Sequence, residues 1–282
     1  MQNYISSLTY LEQSLTDGEV FKCPEYHRFM IDPHHPSYRD SEIDFTQEKF
    51  KYPYIPLYLN DCIIPQVESN DFNVNVLRLL IRENNSHADI HLPKELLCFK
   101  DFIMDNINYH RQYYSVNKDC FIYITVRTSN YDEIFYKNST EWHIDGFQGS
   151  RIKRHIIEQD IFWCNKNPTQ FLLQPMFCDN LNPSKHDINN FFESNAKDEY
   201  IIDTFANKVY LATPYNIHRV NKSHFDGNRV FVRLNFSPVE IEDFTNTVNP
   251  MLKRVYPERR DVRDFLRKYN IDESNDSGLI LP

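Results

Sequence analysis

The chain has 282 residues, a formal net charge of −9, 41% hydrophobic and 15% aromatic residues, and only 5 glycines. That length and apolar content support a sizeable core and exclude a disordered chain. The acidic balance disfavours a nucleic-acid partner held by the whole surface, and no GxGxxG or GxxxxGK[ST] string is present to cradle phosphates.

The six cysteines (Cys23, Cys62, Cys98, Cys120, Cys164 and Cys178) are scattered without a CxxC pair. Such usage fits reduced, packing cysteines in a cytoplasmic protein. The first 15 residues lack a basic stretch followed by an apolar run, and no apolar stretch approaches membrane-spanning length, so no membrane partner is expected.

Prolines 24, 33, 36, 53, 56 and 65 divide the first part of the chain into short pieces, as loops and edge strands require. His34-His35-Pro36 in one of them reads as a surface feature. Residues 72–82 alternate only partly, and periodicity leaves strand and short helix both open. From His91 the pattern becomes that of an amphipathic helix to about Asn108, with Leu96, Leu97, Phe99, Phe102, Ile103 and Ile107 as its apolar face and Pro93 in its first turn.

A β-branched and aromatic run then begins at Cys120, and strands are expected to follow near 160–164, 170–174, 200–205, 208–213, 215–220 and 229–236. Turn signals such as Asn167-Pro168 and Asp226-Gly227-Asn228 separate them, and one helical insert is expected from His186 to about Asn195. Beyond Pro238 the pattern is again helical. It includes a tail, 252–268, whose basic residues mix with acidic ones as on a solvated helix face. The fold class expected is mainly β with flanking helices around a jelly-roll core. The division expected is a single catalytic domain, 1–282, comprising an N-terminal α/β extension (1–110), a jelly-roll core (115–240) and a C-terminal helical segment (241–282).

Within the strand run, Trp142-His143-Ile144-Asp145 sets an imidazole and a carboxylate two apart. In an extended segment both face one side, so both can hold one metal. His218 is the natural third ligand. Two His and one carboxylate on one face of an octahedral metal leave three positions open, as non-haem Fe(II) oxygenases need. A zinc site uses the same residue types, although no HExxH string is present. Arg229 and Arg233, four apart in one strand, face the same side with Phe231, Asn235 and Ser237, and two buried guanidinium groups call for an anion. Trp142, Phe147 and Trp163 are candidates for a pocket wall, with core packing as the competing role.

The order His143-x-Asp145, then His218, then Arg229 eleven residues later resembles the Fe(II)/2-oxoglutarate-dependent dioxygenases over roughly 115–240, most of all their taurine dioxygenase and phytanoyl-CoA hydroxylase branches. Thr169, 26 residues after His143, matches a co-substrate Thr of the taurine dioxygenase branch. The resemblance implies a double-stranded β-helix core and Fe(II) held by His143, Asp145 and His218. It implies 2-oxoglutarate bound by Arg229 with Thr169, and Arg233 nearer the metal, contacting the co-substrate's other end or an anionic substrate. It also implies O₂ as oxidant, with hydroxylation of an unactivated C–H of a small molecule or amino-acid-type substrate and release of succinate and CO₂. The Arg233-x-Asn235-x-Ser237 run partly resembles the RxNxT motif of nucleic-acid demethylases, but Val239 stands where the further Arg belongs.

Other readings compete. His87-Ala88-Asp89 and His224-Phe225-Asp226 repeat the HxD string, the first outside the strand run and the second too close to His218. His110, His155 and His186 have no partner at ligand spacing. The alternative function is a metal-binding jelly roll acting as a zinc hydrolase or as a non-catalytic ligand- or partner-binding module. The sequence does not indicate an oligomeric state. The basic run Arg151, Lys153, Arg154 and His155 is compatible with an anionic substrate and equally with a solvated lid.

Overall fold

Nine residues of strict alternation, Arg229 to Ser237, form the strand around which the largest sheet is built. Val230, Val232, Leu234 and Phe236 face one way, into the main apolar core, while Arg229, Phe231, Arg233 and Asn235 face the other. The computed structural model describes residues 15–22, 50–65, 67–79, 89–113, 121–132, 141–145, 159–178, 181, 186–213, 215–237 and 246–252.

The strands, in chain order, are β1 (Glu19–Lys22), β2 (Leu57–Asp61), β3 (Asn73–Arg78), β4 (Asp89–Leu92), β5 (Phe121–Ser129), β6 (Gln159–Cys164), β7 (Thr169–Leu172), β8 (Ile201–Asp203), β9 (Lys208–Ala212), β10 (His218–Val220) and β11 (Arg229–Ser237). Two α-helices, α1 (Lys100–Tyr113) and α2 (Ile188–Asn195), are given in full among the described residues. The chain is thus mainly β. Its sheets are antiparallel: a six-stranded one in the order β2-β9-β6-β11-β5-β3, a three-stranded one in the order β10-β7-β8, and the pair β1-β4. The large sheet therefore draws two of its strands from residues 57–78, well before 115.

Side-chain alternation sorts the core into layers. One face of the large sheet (Ile122, Ile124, Val126, Ile161, Trp163, Val209 and Leu211, with the β11 valines) packs on Leu96, Phe99, Phe102, Ile103 and Ile107. The other face meets the small sheet through Phe162, Phe171, Tyr210 and Ala212, joined by Ile202 and Phe231. The outer face of the small sheet is closed by α2, whose Ile188 and Phe192 pack with Trp142, Ile144, Leu172 and Ile217. Asp187 caps α2, its carboxylate accepting from the backbone N–H groups of Asn189 and Asn190.

One local reading changes, and two open ones resolve. The helix expected from His91 starts later: 89–92 is β4, Pro93 follows, a 3-10 helix spans Lys94–Phe99, and α1 begins at Lys100. Its predicted apolar face is nonetheless the one buried. The broken alternation in 72–82 arises from a bulge. The register of β3 on β5 shifts between Val74 and Leu77, so both reach the same core although three apart, and Val76 takes φ +47. A β-branched residue in that region is strained. Trp163 belongs to the helix-side core, not to a pocket between the sheets; it is 1% exposed and its Nε1 donates to the Cys62 carbonyl at 2.8 Å.

Among the described residues no helix is long and apolar enough to cross a membrane. The C-terminal helical expectation lies largely outside the described residues; 246–252 holds a bend and a turn. There Thr247 closes the outer edge of β3, with Thr247 N–H donating to the Asn75 carbonyl (2.7 Å) and Asn75 N–H to Thr247 Oγ1 (2.8 Å). The assignment of Trp163 to the outer core carries an expectation. Trp163→Ala lowers unfolding free energy by about 3–5 kcal/mol in denaturant titration while leaving metal stoichiometry unchanged.

Candidate metal centre

The segment 141–145 is an extended piece that pairs with the start of β10 at one point. His143 N–H donates to the His218 carbonyl (3.0 Å), and His218 N–H to that of His143 (2.9 Å). Alternation does the rest. Trp142 and Ile144 turn into the outer core with α2, and His143 and Asp145 turn to the opposite side. The Trp142 N–H donates to Glu193 Oε2 of α2 at 2.9 Å, which ties the ligand segment to the helix behind it. Trp142, 1% exposed in that outer core, is therefore no part of a pocket wall. Phe147 lies outside the described residues.

His143, Asp145 and His218 come together, with one ligand atom from each all within 4.8 Å of one another. Both imidazoles are held by the same device. The Nδ1 of His143 donates to the Glu141 carbonyl at 2.8 Å, and that of His218 to the Asn216 carbonyl at 2.9 Å. A carbonyl can only accept, so each Nδ1 carries a proton, and in the neutral imidazole each Nε2 has its lone pair for a metal. The rings lie 4.4 Å apart between centroids, and His218 Nε2 is 3.5 Å from Asp145 Oδ2.

Charge distribution separates the two histidines. Burial, reinforced by the neighbouring His218, pulls His143 down to about 4. Burial also works against a proton on His218, but the hydrogen bond and charge of Asp145 outweigh it and raise that imidazole above its usual value. Asp145 is held well below the ordinary carboxylate range: burial opposes its charge, but the Arg233 guanidinium and then His218 overcome it. Arg233 Nη1 donates directly to Asp145 Oδ2, so one contact of this arginine is to a candidate ligand.

Arg229 is placed differently. It is 3% exposed, its Nε donates to the Asn167 carbonyl (2.9 Å), its guanidinium lies 5.1 Å from the Phe231 ring, and Nη2 is buried without a hydrogen-bond partner. No carboxylate pairs with it among the described residues. Thr169 is on the inward face of β7 with Phe171, is buried, and its carbonyl accepts from Thr204 Oγ1 at 2.7 Å. Phe162 and Phe171 flank His218, with ring centroids 6.0 and 5.9 Å away.

The rival strings separate cleanly. Asp89 is in β4, paired with β1 in another sheet, and His87 lies outside the described residues. His224 is exposed and packs against the Tyr131 ring. His34, His35 and His155, the basic run 151–155 and the side chain of His110 lie outside the described residues, and His186 is exposed. Sequence reasoning missed Phe162, Phe171 and Glu193. The two phenylalanines are readable as inward positions of their strands; Glu193, on a helix behind the sheet, leaves no signal.

No protein-family model matches the chain, and no curated protein matches it. One similar solved structure is that of an "Oxidoreductase, 2OG-Fe(II) oxygenase family" from Burkholderia pseudomallei. It aligns over 61% of this chain and 69% of that chain, with 9% identity and a TM-score of 0.30. At that TM-score the likeness carries neither fold nor activity.

The site predicts its own pH dependence. A metal must displace the proton that His218 retains above its ordinary value, so metal affinity rises as pH climbs through that raised pKa, with proton release seen by calorimetry in buffers of different ionisation enthalpy. In the metal-free protein the two imidazoles pull stability in opposite directions. The raised pKa of His218 gives stability that is full below about 6.5 and lost above it. The depressed pKa of His143 removes stability as pH falls from about 6.5 toward about 4.

Proposed function

We propose that this chain is an Fe(II)- and 2-oxoglutarate-dependent oxygenase with a double-stranded β-helix core, hydroxylating an unactivated C–H of a small molecule or amino-acid-type substrate. The observation that carries the reading is a pair of features on one inward side. A two-histidine, one-carboxylate cluster with both Nδ1 protons committed to carbonyls is bonded through Asp145 to Arg233 of β11, and Arg229, four residues along the same face of that strand, is buried with an Nη2 that lacks a partner.

The residues present fit the groups this reading requires. Two neutral nitrogens and one carboxylate form the donor set associated with non-haem Fe(II), and they leave coordination positions open. Burying a guanidinium with an unsatisfied nitrogen is costly, and a carboxylate bonded to it removes that cost. The distal carboxylate of 2-oxoglutarate meets that requirement. Facing antiparallel sheets with the cluster at one end of their shared interior agree with the proposed core. The four described cysteines, Cys62, Cys98, Cys164 and Cys178, are free thiols, in keeping with a reducing, cytoplasmic setting.

In this reading His143, Asp145 and His218 hold the iron. Iron and 2-oxoglutarate, when bound, supply activation of O₂ coupled to decarboxylation, giving succinate and CO₂ with hydroxylation of the substrate. The chain's own residues do the rest. The Glu141 and Asn216 carbonyls fix the two imidazole tautomers. Arg233 orients the Asp145 carboxylate and keeps it ionised. Arg229 fixes the far end of the co-substrate, and Phe162, Phe171 and Phe231 exclude water from the space between.

Anaerobic loading with Fe(II) is expected to give one iron per chain, and exposure to O₂ with 2-oxoglutarate to yield succinate even without substrate. Retention of zinc with no 2-oxoglutarate consumed would refute the reading in favour of a hydrolase or a binding module. Asp145→Ala is expected to lose both iron and turnover. Arg229→Ala is expected to keep its iron and weaken 2-oxoglutarate roughly 10–100-fold, the worth of a charge-assisted hydrogen bond.

A further inference from the structure

One peptide group stands between His143 and the helix behind it. The Glu141 carbonyl and the Trp142 N–H belong to the same planar unit and point opposite ways from it. On one side the carbonyl accepts from His143 Nδ1 at 2.8 Å. On the other the N–H donates to Glu193 Oε2 of α2 at 2.9 Å. A rotation of that plane would strain both bonds together. The same residues are held from the side-chain direction. Trp142 is buried, and the Arg219 guanidinium lies 4.1 Å from its ring centroid. Arg219 follows His218 as Trp142 precedes His143, so the two are cross-strand neighbours on the outer face of the bridge that carries the ligands on its inner face. Arg219 Nε donates to Oε1 of Gln170, its register partner on β7, at 2.9 Å. Glu193 is tied as well, with Oε1 3.3 Å from Lys222 Nζ. Burial opposes its charge, but the Trp142 N–H and then Lys222 overcome it and hold the carboxyl below the usual range.

We infer that Glu193 is a positioning residue for His143, acting through the Glu141–Trp142 peptide, whose plane it holds so that Nδ1 stays bonded and Nε2 stays aimed at the metal. This role rests on the metal centre of the proposed function, and on neither its co-substrate nor its oxidant. A ligating imidazole is oriented by whatever its other nitrogen donates to. Here that partner is a carbonyl in a segment that meets β10 at an isolated bridge. A carbonyl inside a long ladder is fixed by the pairs on either side of it. This one depends on the bond that its own peptide makes to α2. The carboxylate also polarises the peptide, which strengthens the carbonyl as an acceptor and the imidazole as a ligand. His218 donates to a different carbonyl, that of Asn216, so the two histidines are oriented independently on their Nδ1 sides.

The test uses the full chain titrated with Co(II), followed by affinity and by proton NMR. The Nδ1–H of a histidine on paramagnetic Co(II) gives a strongly shifted signal that vanishes in D2O, so His143 and His218 are expected to give one such signal each. Glu193→Ala is expected to weaken Co(II) about tenfold, the low end for partners behind a metal ligand, and to shift one signal while the other stays in place. Glu193→Gln, whose amide oxygen can still accept from Trp142 N–H, is expected to return the affinity to within about threefold of wild type and to restore the signal. Glu193→Asp keeps the charge but withdraws the acceptor by one bond length, and is expected to behave as alanine does. The Glu193 side chain is 35% exposed, so these replacements open no core, and the aspartate variant decides the matter if alanine disturbs α2. Unchanged affinity and unmoved signals in the alanine or aspartate variant would overturn the inference, whatever happens to the melting temperature. So would a glutamine variant as weak as alanine, or a loss in which both signals move alike. Wild-type protein that takes up no Co(II) refutes the metal centre itself, an outcome distinct from a variant that binds as well as wild type.

Discussion

Two backbone hydrogen bonds hold the candidate centre together. The reciprocal pair between His143 and His218, at 3.0 and 2.9 Å, joins segments 75 residues apart in sequence and makes them direct neighbours across an antiparallel bridge. In such a pair the two Cα atoms lie about 5.5 Å apart with side chains on the same face. That geometry is why the imidazoles end with centroids 4.4 Å apart and why Asp145, two residues on, joins them. Everything behind the bridge stabilises it: β10 pairs with β7, β7 with β8, and Glu193 of α2 takes the Trp142 N–H. The ligands are chemistry laid over a piece of ordinary sheet.

Electrostatics then differentiates groups that look equivalent in sequence. The two arginines of β11 are four residues apart on one face and meet different surroundings. Arg233 bonds to the Asp145 carboxylate and stabilises its charge. Arg229 has the Asn167 carbonyl and the Phe231 ring for company, and burial lowers its hold on its proton. Only the second arrangement leaves a cation in need of an anion. The histidines divide similarly, since Asp145 raises the pKa of His218 while His143, more dependent on burial, falls to about 4.

Much of this was legible because it depends on local spacing. The i, i+2 relation of His143 and Asp145 and the i, i+4 relation of Arg229 and Arg233 need only extended backbone to become same-face relations, and the strands carry β-branched and aromatic runs that announce such backbone. The same rule puts Trp142 on the far side from His143. Where a local irregularity intervened, periodicity failed. The extra residue in β3 put Val74 and Leu77 on one face and left strand and helix indistinguishable. Pro93 suits the first turn of a helix, so it drew the helix start back over β4. The anchoring of Arg229 by Asn167 and of Trp142 by Glu193 spans 62 and 51 residues respectively and follows no period; only the folded packing brings those atoms together.

The two-faced character of β11 has a consequence for how this fold can fail. Its apolar residues face the helices and its arginines face the small sheet, and neighbouring β5 and β6 are paired with it over nine and six residues. Sliding the strand by one residue would carry Arg229 and Arg233 into the aliphatic layer and bring Val230 and Val232 to the metal side. Such a slip loses the core and the cation seat in one step, so no partly active, partly packed intermediate register is available. The arginines that would serve chemistry therefore also act as a proofreading device for strand assembly, since the cost of burying them in hydrocarbon penalises every odd-numbered shift.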